Sequence, residues 1–487
     1  MKTITAAVLL LMTGCTVGPD YVRPAVPAAT SFGPQASAGK GGSAQHFSAG
    51  QTVASDWWKA FGSPQLDQLI ADAFTASPTL GAAKAALRGA QENVAAQRGA
   101  FFPTLAASYS PSRTKVAGNQ GGSAPGLQGD GTNISTGPNS EPVSYTFHTA
   151  QLTVGYAPDI FGANRRQVES SAALASGQAF QLQAAYTTLA ANLAGAAIEE
   201  ALLREQIAIT QAIVDAGTLA VATLRRQQHA GFASNLDISL QEGALIQAQQ
   251  LLPPLTRQLA QTRNLLRALS GKAPDQPLAQ QFDATSLHLP RDLPVSLPSQ
   301  LIEQRPDVRA AEAQVQAASA QVGVAAAARL PQFSIDAAIG GAAAHFNQMF
   351  WPSGSFFNLA GNLTQPLFDG GALKHRELAA DAALQEAAAQ YQVTVLTAFQ
   401  NVADTLRALH ADADALQMAV AAERNADASL ALIRRQLARG YVDRLALIGA
   451  EQSQRQAALN VAQARAGRLA DTAALFQALG GGWSPHE

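Results

Sequence analysis

Two stretches of the chain limit what it can fold into. Ala372 to Arg439 runs for 68 residues without a glycine or a proline, and Ala163 to Ala230, also 68 residues, contains no proline. The later stretch is dominated by alanine, glutamine, leucine, arginine and glutamate, which lose least on entering a helix. Unbroken, it is a rod of roughly 100 Å at a rise of 1.5 Å per residue, whereas ordinary globular helices average about 11–12 residues. A rod of that length calls for a coiled coil, a solenoid or a supramolecular tube. Both rods are followed by a glycine, Gly231 and Gly440.

The flanking sequence repeats along with the rods. SPTLGAAKAALRGAQENVAAQRGAFFPTLAAS, from Ser77, aligns without a gap on RPDVRAAEAQVQAASAQVGVAAAARLPQFSID, from Arg305, so that Pro78 meets Pro306 and Pro103 meets Pro331. The rods end on RRQQHAGFASNL and RRQLARGYVDRL. Ahead of each rod lie two runs of period two. In the first copy Leu105, Ala107 and Tyr109 alternate with small polar residues, and Ala150, Leu152, Val154 and Tyr156 alternate with Thr149, Gln151, Thr153 and Gly155. In the second, Ile335, Ala337 and Ile339 oppose Ser334, Asp336 and Ala338, and Phe357, Leu359 and Leu363 oppose Asn358, Asn362 and Thr364. A unit of helix, strand, strand, long helix and helix is therefore duplicated. The returning helix of copy one spans about Ser234 to Leu269, with a kink or break expected at Pro253-Pro254. The boundaries expected are 1–14 for a leader, 15–62 for an extended tether, 63–270 and 301–483 for the two repeats, 271–300 for a proline-rich linker and 484–487 for a tail.

The leader MKTITAAVLLLMTG has one lysine, an apolar run and small residues, a signal-peptide layout too short to span a bilayer. Cys15, the one cysteine, follows at once and cannot form an intramolecular disulfide. Its place at the end of the apolar run favours a diacylated lipobox cysteine over a free thiol in an uncleaved leader. Thr16 next to it, rather than an aspartate, favours the outer membrane under the lipoprotein-sorting rule. No cofactor is expected beyond the covalent lipid on Cys15. Charged residues make up 14% and the net charge is −2, so no basic face stands ready for nucleic acid.

In the first rod, Leu182, Tyr186, Leu189, Leu193, Ala196, Leu203, Ile207, Val214, Val221 and Leu224 follow steps of four and three, with Glu200, Thr210 and Gly217 as breaks. This is a coiled-coil seam, and the faces outside it are small and polar. Strands apolar on one face and polar on the other either cover a soluble core or line a barrel with lipid outside and water inside. Four strands cannot close a barrel, since the smallest membrane barrels use about eight. Left open, their edges invite aggregation, so closure requires further copies of the chain. Catalysis finds no support. The eight histidines show no metal-ligand spacing, Ser270-Gly271-Lys272-Ala273 is not a phosphate-binding loop, and Glu199-Glu200 and Asp412/Asp414 read as solvated helix faces.

The residues taken together resemble the outer-membrane efflux channels of the TolC/OprM type, in the lipoprotein branch called NodT-like. The resemblance spans Cys15 to Trp483 and rests on Cys15-Thr-Val-Gly-Pro-Asp-Tyr21, Trp57-Trp58 with Phe61, LPSQLIEQRPDVRAAEAQV, Gln365-Pro-Leu-Phe-Asp-Gly-Gly371, Gly440-Tyr-Val-Asp-Arg-Leu445 and Leu479-Gly-Gly-Gly-Trp483. It implies an α+β membrane protein, a homotrimer with a twelve-stranded β-barrel on a long periplasmic α-helical coiled-coil tunnel. It further implies a passive, non-enzymatic exit duct in the outer membrane for drugs, other small molecules or metal ions. Its partners are then a periplasmic adaptor, an inner-membrane pump of the RND type and outer-membrane lipid. The alternatives are a type I protein-secretion duct and a lipid-tethered structural coiled coil of the periplasm. By the same resemblance the periplasmic gate candidates are Leu445, Leu236, Asp443 and Asp237, with Asp237 equally readable as a helix cap. The turn and adaptor-docking candidates are Gly231, Gly440, Arg435 and Arg439. Gly449 stands where the family often carries an aspartate.

Overall fold

The computed structural model describes residues 16–25, 45–117, 142–296 and 298–481. These fall into two units, and the division cuts several helices. A sheet unit draws on Met1–Arg23, Gly89–Ala175 and Ala313–Ala388, and a helical unit on Pro24–Arg88, Ser176–Glu312 and Ala389–Glu487. The first elements are strand β1 (His46–Ala49) and helices α1 (Pro64–Ala76) and α2 (Pro78–Arg98). Ser63 caps α1 by accepting from the Leu66 amide, and Ser77 turns extended before Pro78 opens α2. Then come β2 (Thr104–Val116), β3 (Val143–Tyr156), α3 (Ala163–His229) and α4 (Asn235–Leu269). After β4 (Asp292–Val295) and α5 (Pro298–Gln304), the pattern recurs as α6 (Pro306–Ala327), β5 (Gln332–Ala343), β6 (Ser355–Thr364), α7 (Ala372–Ala438) and α8 (Arg444–Ala478). The two long helices are 67 residues each and the two returning helices 35 each, so the duplication is kept to the residue in these four helices.

The helix α4 is continuous through Pro253 and Pro254, so of the kink or break expected there the break does not occur. Two prolines remove two amide donors, and the carbonyls they would have served belong to Gln249 and Gln250, both exposed. Solvent can satisfy a carbonyl there, which lowers the cost that ends a buried helix at proline.

The sheet unit is built on one antiparallel sheet of order β2-β3-β5-β6. Its register aligns Leu105, Val154, Ala337 and Leu359 in one row across all four strands, and Ala107, Leu152, Ile339 and Phe357 in the next row on the same face. The opposite face carries rows such as Ala106, Thr153, Ala338 and Asn358. Alternation in each strand and register between strands thus agree, which makes these rows apolar, while Arg113 opposite Thr146 and Lys115 opposite Ser144 continue the same face in polar residues. The apolar rows are exposed in the single chain: Ile339 is 63% exposed, Leu359 71% and Phe357 83%. The strands are 13, 14, 12 and 10 residues long, enough for a bilayer, which takes about 9–11 tilted residues. The outer edges of β2 and β6 have no partner among the described residues.

In the helical unit the seam of α3 is buried at Leu189, Leu193, Ala196, Leu203, Val214, Val221 and Leu224. Its breaks are buried as well. At Gly217 an added Cβ would come within 3.2 Å of the Leu245 side chain, so the missing side chain lets α4 approach. Glu200 is wholly buried, which corrects its reading as a solvated face. Its Oε1 accepts from Arg204 Nη2 at 2.7 Å, one turn on, and from Arg263 Nη1 at 2.6 Å, on the returning helix. The matching helix α7 buries Tyr391, Val395, Ala398, Val402, Leu409 and Leu416 at the same spacing and places its acid one step later, at Asp412. Burial and the neighbouring Asp471 carboxyl push the Asp412 carboxyl up to about 6, opposed by the Arg468 guanidinium. Asp412 is therefore not a freely solvated carboxylate either.

The segments expected to be tether and linker carry structure. β1 pairs with β4 in parallel, His46 opposite Asp292 and Ala49 opposite Val295. Phe282 and Leu293 are fully buried. Gln45 ties this pair to α8, donating to Pro290 O at 2.9 Å and accepting from Arg468 Nε at 2.9 Å. Trp57 and Phe61 are core and Trp58 is half-buried, with Trp57 stacked 5.3 Å from Phe476.

Glu200→Ala leaves two guanidinium groups, 26% and 20% exposed, without their shared counter-ion. The expected loss is about 3 kcal/mol, the low end for breaking a buried pair because both cations keep some solvent. Thermal unfolding of detergent-solubilised protein checks it, and an unchanged midpoint contradicts a structural role for the triad.

Candidate functional site

The candidate residues lie on two turns of the helical unit, each joining a long helix to its returning partner. Both turns end the long helix with glycine in the left-handed region, Gly231 at φ +83° and Gly440 at φ +76°. The Phe232 amide donates to Gln227 O at 2.8 Å and the Gly231 amide to Gln228 O at 2.9 Å. Tyr441 to Gln436 O at 2.9 Å and Gly440 to Leu437 O at 3.0 Å repeat the arrangement. This is the Schellman termination, in which glycine avoids the Cβ clash that a positive φ imposes.

The helices that leave the turns are capped with different chemistry. Ser234 and Asp237 form a reciprocal capping box on α4: the Asp237 amide donates to Ser234 Oγ at 3.2 Å, and the Ser234 amide donates to Asp237 Oδ2 at 2.9 Å. On α8 Asp443 is itself the N-cap and accepts from the Ala446 amide at 2.9 Å. Both acids are thus engaged as caps, and they occupy different places in their turns. Asp443 matches Ser234 in the duplicated order, while Asp237 matches Ala446. Hydrogen bonds from the Ser234 amide and hydroxyl hold the Asp237 carboxyl below the usual carboxylate range.

The leucines do match, each the second residue of its helix. Leu236 is 67% exposed and Leu445 half-buried. Arg435 and Arg439 are exposed, and Arg435 Nε donates back to Ala431 O at 3.4 Å. A Cβ added at Gly449 would meet no heavy atom within 4 Å, so the helix there has room for a side chain. Sequence reading missed one feature of both turns. Arg225 pairs with Glu242 at 2.6 Å and Arg434 with Glu451 at 3.3 Å, each 17 residues apart across its turn. The signal was available: both pairs sit at the same offset in the two copies. Cys15, the lipidation candidate, lies outside the described residues. Among those residues no cluster of His, Cys, Asp or Glu is arranged to hold a metal ion.

A family model described as outer membrane efflux protein matches residues 69–272 and 297–481, that is, both copies of the unit. The chain is an outer membrane efflux protein. It is 29% identical over 427 residues to the pyoverdine export outer membrane protein OpmQ of Pseudomonas putida, a match covering 88% of each chain. It is 27% identical over 491 residues to the cation efflux system protein CusC of Escherichia coli O6:H1, covering 99% of each. Among solved structures, the outer-membrane channel OprN superimposes with a TM-score of 0.82 at 25% identity, covering 97% of this chain and 100% of that one. This efflux protein accordingly functions at the outer membrane.

A carboxyl held below its ordinary range adds stability above that range and loses it as pH falls through the depressed value. For Asp237 this means that wild-type protection of the first turn of α4 is present at pH 7 and fades below about pH 4. Asp237→Asn is expected to speed deuterium exchange of the Ser234 amide at pH 7, with the difference vanishing in acid. Equal exchange at both pH values counts against the capping box.

Proposed function

We propose that three copies of this outer membrane efflux protein close their sheets into one barrel and form the exit duct of a tripartite efflux system. The carrying observation is the sheet of four strands, apolar in unbroken rows on one face and unpaired at both edges among the described residues. Lipid cannot satisfy bare amides and carbonyls, so β2 and β6 must pair with other chains in the membrane. Two copies would supply eight strands and three would supply twelve; family resemblance selects three. The apolar rows then face hydrocarbon and the Ser, Thr, Asn and Gln rows face water.

The long helices belong to the periplasmic part of the duct, and their turns at Gly231 and Gly440 carry its gate. Leu445 and Leu236 supply an apolar constriction, with Asp443 and Asp237 adding negative charge at the rim. The exposed Arg435 and Arg439 offer contacts to a periplasmic adaptor, which connects the duct to an inner-membrane pump of the RND type. Cys15 carries the lipid that anchors the chain. The cargo is small molecules or metal ions, a reading supported by the relatives' roles in pyoverdine export and cation efflux. The duct performs no chemistry of its own. Transport is driven by the pump.

Planar-bilayer recording of the purified protein tests the reading. Wild type is expected to conduct ions with long closed periods, and Leu445→Ala to raise the resting conductance several-fold by widening the constriction. A protein that never conducts sinks the duct. Conducting wild type with an unaltered Leu445→Ala variant moves the gate elsewhere.

A further inference from the structure

The segment just after Cys15 is not a loose tether. Thr16 to Asp20 lies in the sheet unit against the connection from β3 to α3 and against α6. The Val17 amide donates to Phe161 O at 3.2 Å. Arg166, in the first turn of α3 and only 5% exposed, turns its guanidinium onto the segment. Its Nε donates to Val17 O at 3.3 Å, and its Nη2 donates to Gly18 O at 3.3 Å and Asp20 Oδ1 at 2.8 Å. Its Nη1 is held from behind by Glu169 Oε2 at 2.8 Å.

The packing leaves no slack. A Cβ on Gly18 would lie 2.3 Å from Gly323 Cα. One on Gly323, a turn before the C-terminal end of α6, would lie 2.8 Å from Arg166 Cγ and 3.0 Å from Val17 O. One on Gly162 would lie 2.7 Å from Thr16 Cγ2. A glycine inside a helix is unfavourable by itself, and at Gly323 its benefit is the close approach of another backbone. Burying an arginine on two carbonyls and a carboxylate is likewise costly unless the segment it receives is fixed in place.

We propose that Gly162, Arg166 and Gly323 form a cradle that docks Thr16–Asp20 and so holds the acylated terminus beside the sheet of its own subunit. The proposal rests on the reading of Cys15 as the lipidated residue. Consecutive Cα atoms are about 3.8 Å apart, so the lipid-bearing residue cannot stray far from where Thr16 is pinned. The acyl chains then enter the membrane at the point where β3 gives way to α3. Arg166 is a positioning residue: it touches no cargo and acts through the strap. In this arrangement the anchor sets the depth at which each sheet meets the bilayer while it awaits its neighbours.

The test compares full-length wild type with Gly323→Ala and Arg166→Ala. Gly323→Ala is the sharper variant, because alanine favours the helix and removes no charge. Three readouts are taken: radiolabelled palmitate incorporation with Cys15→Ala as the blank, deuterium exchange of residues 16–21 in detergent, and the yield of heat-sensitive oligomer on unheated gels. Both variants are expected to keep the palmitate label, to exchange the segment roughly tenfold faster or more, and to lose oligomer yield several-fold. Unchanged exchange in both variants overturns the cradle. Faster exchange with full oligomer yield overturns its role in seating the sheet. Absence of label from wild type overturns the anchoring step and the Cys15 reading together, whereas a labelled wild type with unaltered variants overturns the cradle alone.

Discussion

A sheet edge cannot be left bare in hydrocarbon. Every amide and carbonyl that β2 and β6 turn outward needs a partner that lipid does not provide. The chain has four long strands and no described element that covers either edge. Its apolar rows, continuous from Leu105 to Leu359 and from Ala107 to Phe357, add a face that water does not favour. In the assembly proposed above, both deficits are met by the same event, pairing with further copies in a membrane, and the duct follows from that closure.

The helical unit meets a different constraint, because a long helix gains most of its stability from packing. The seam of α3 and that of α7 supply that packing, yet each admits one acid, Glu200 in one and Asp412 in the other. The duplicated halves handle the charge differently. Glu200 is neutralised by Arg204 and Arg263, whereas Asp412 shares its place with Asp471 under the influence of Arg468. The long and returning helices of the two copies match in length to the residue, and the copies differ in their buried electrostatics. The turns show the same divergence, with a serine-aspartate capping box in one and an aspartate N-cap in the other.

What the sequence revealed follows from the range of each signal. The rods could be read because helix propensity is local and no proline interrupts either one. The strands could be read because period two survives over ten or so residues, and the turns because glycine after each rod is a local requirement. Long-range pairings left no such mark. β1 and β4 are four residues each and lie far apart in the chain, and Pro294 within β4 argues against a strand. Glu200 looked solvated because Glu199 and Arg204 surround it in sequence, and only the fold brings Arg263 to it. The Pro253-Pro254 pair misled in the opposite sense, since exposure on the outside of α4 removes the need for a break. At the turns the cap reading of Asp237 was legible from its place near the start of the returning helix, whereas the bond that makes Asp443 an N-cap depends on backbone geometry.

The number of chains that share the sheet is the central quantity. Native mass spectrometry of the full-length protein, released from a mild detergent with its lipid attached, measures it directly. Three chains per particle, falling to one only with loss of the infrared β-sheet signal, is the result expected. A stable monomer that retains its sheet would show that the edges need no partner and would contradict the account.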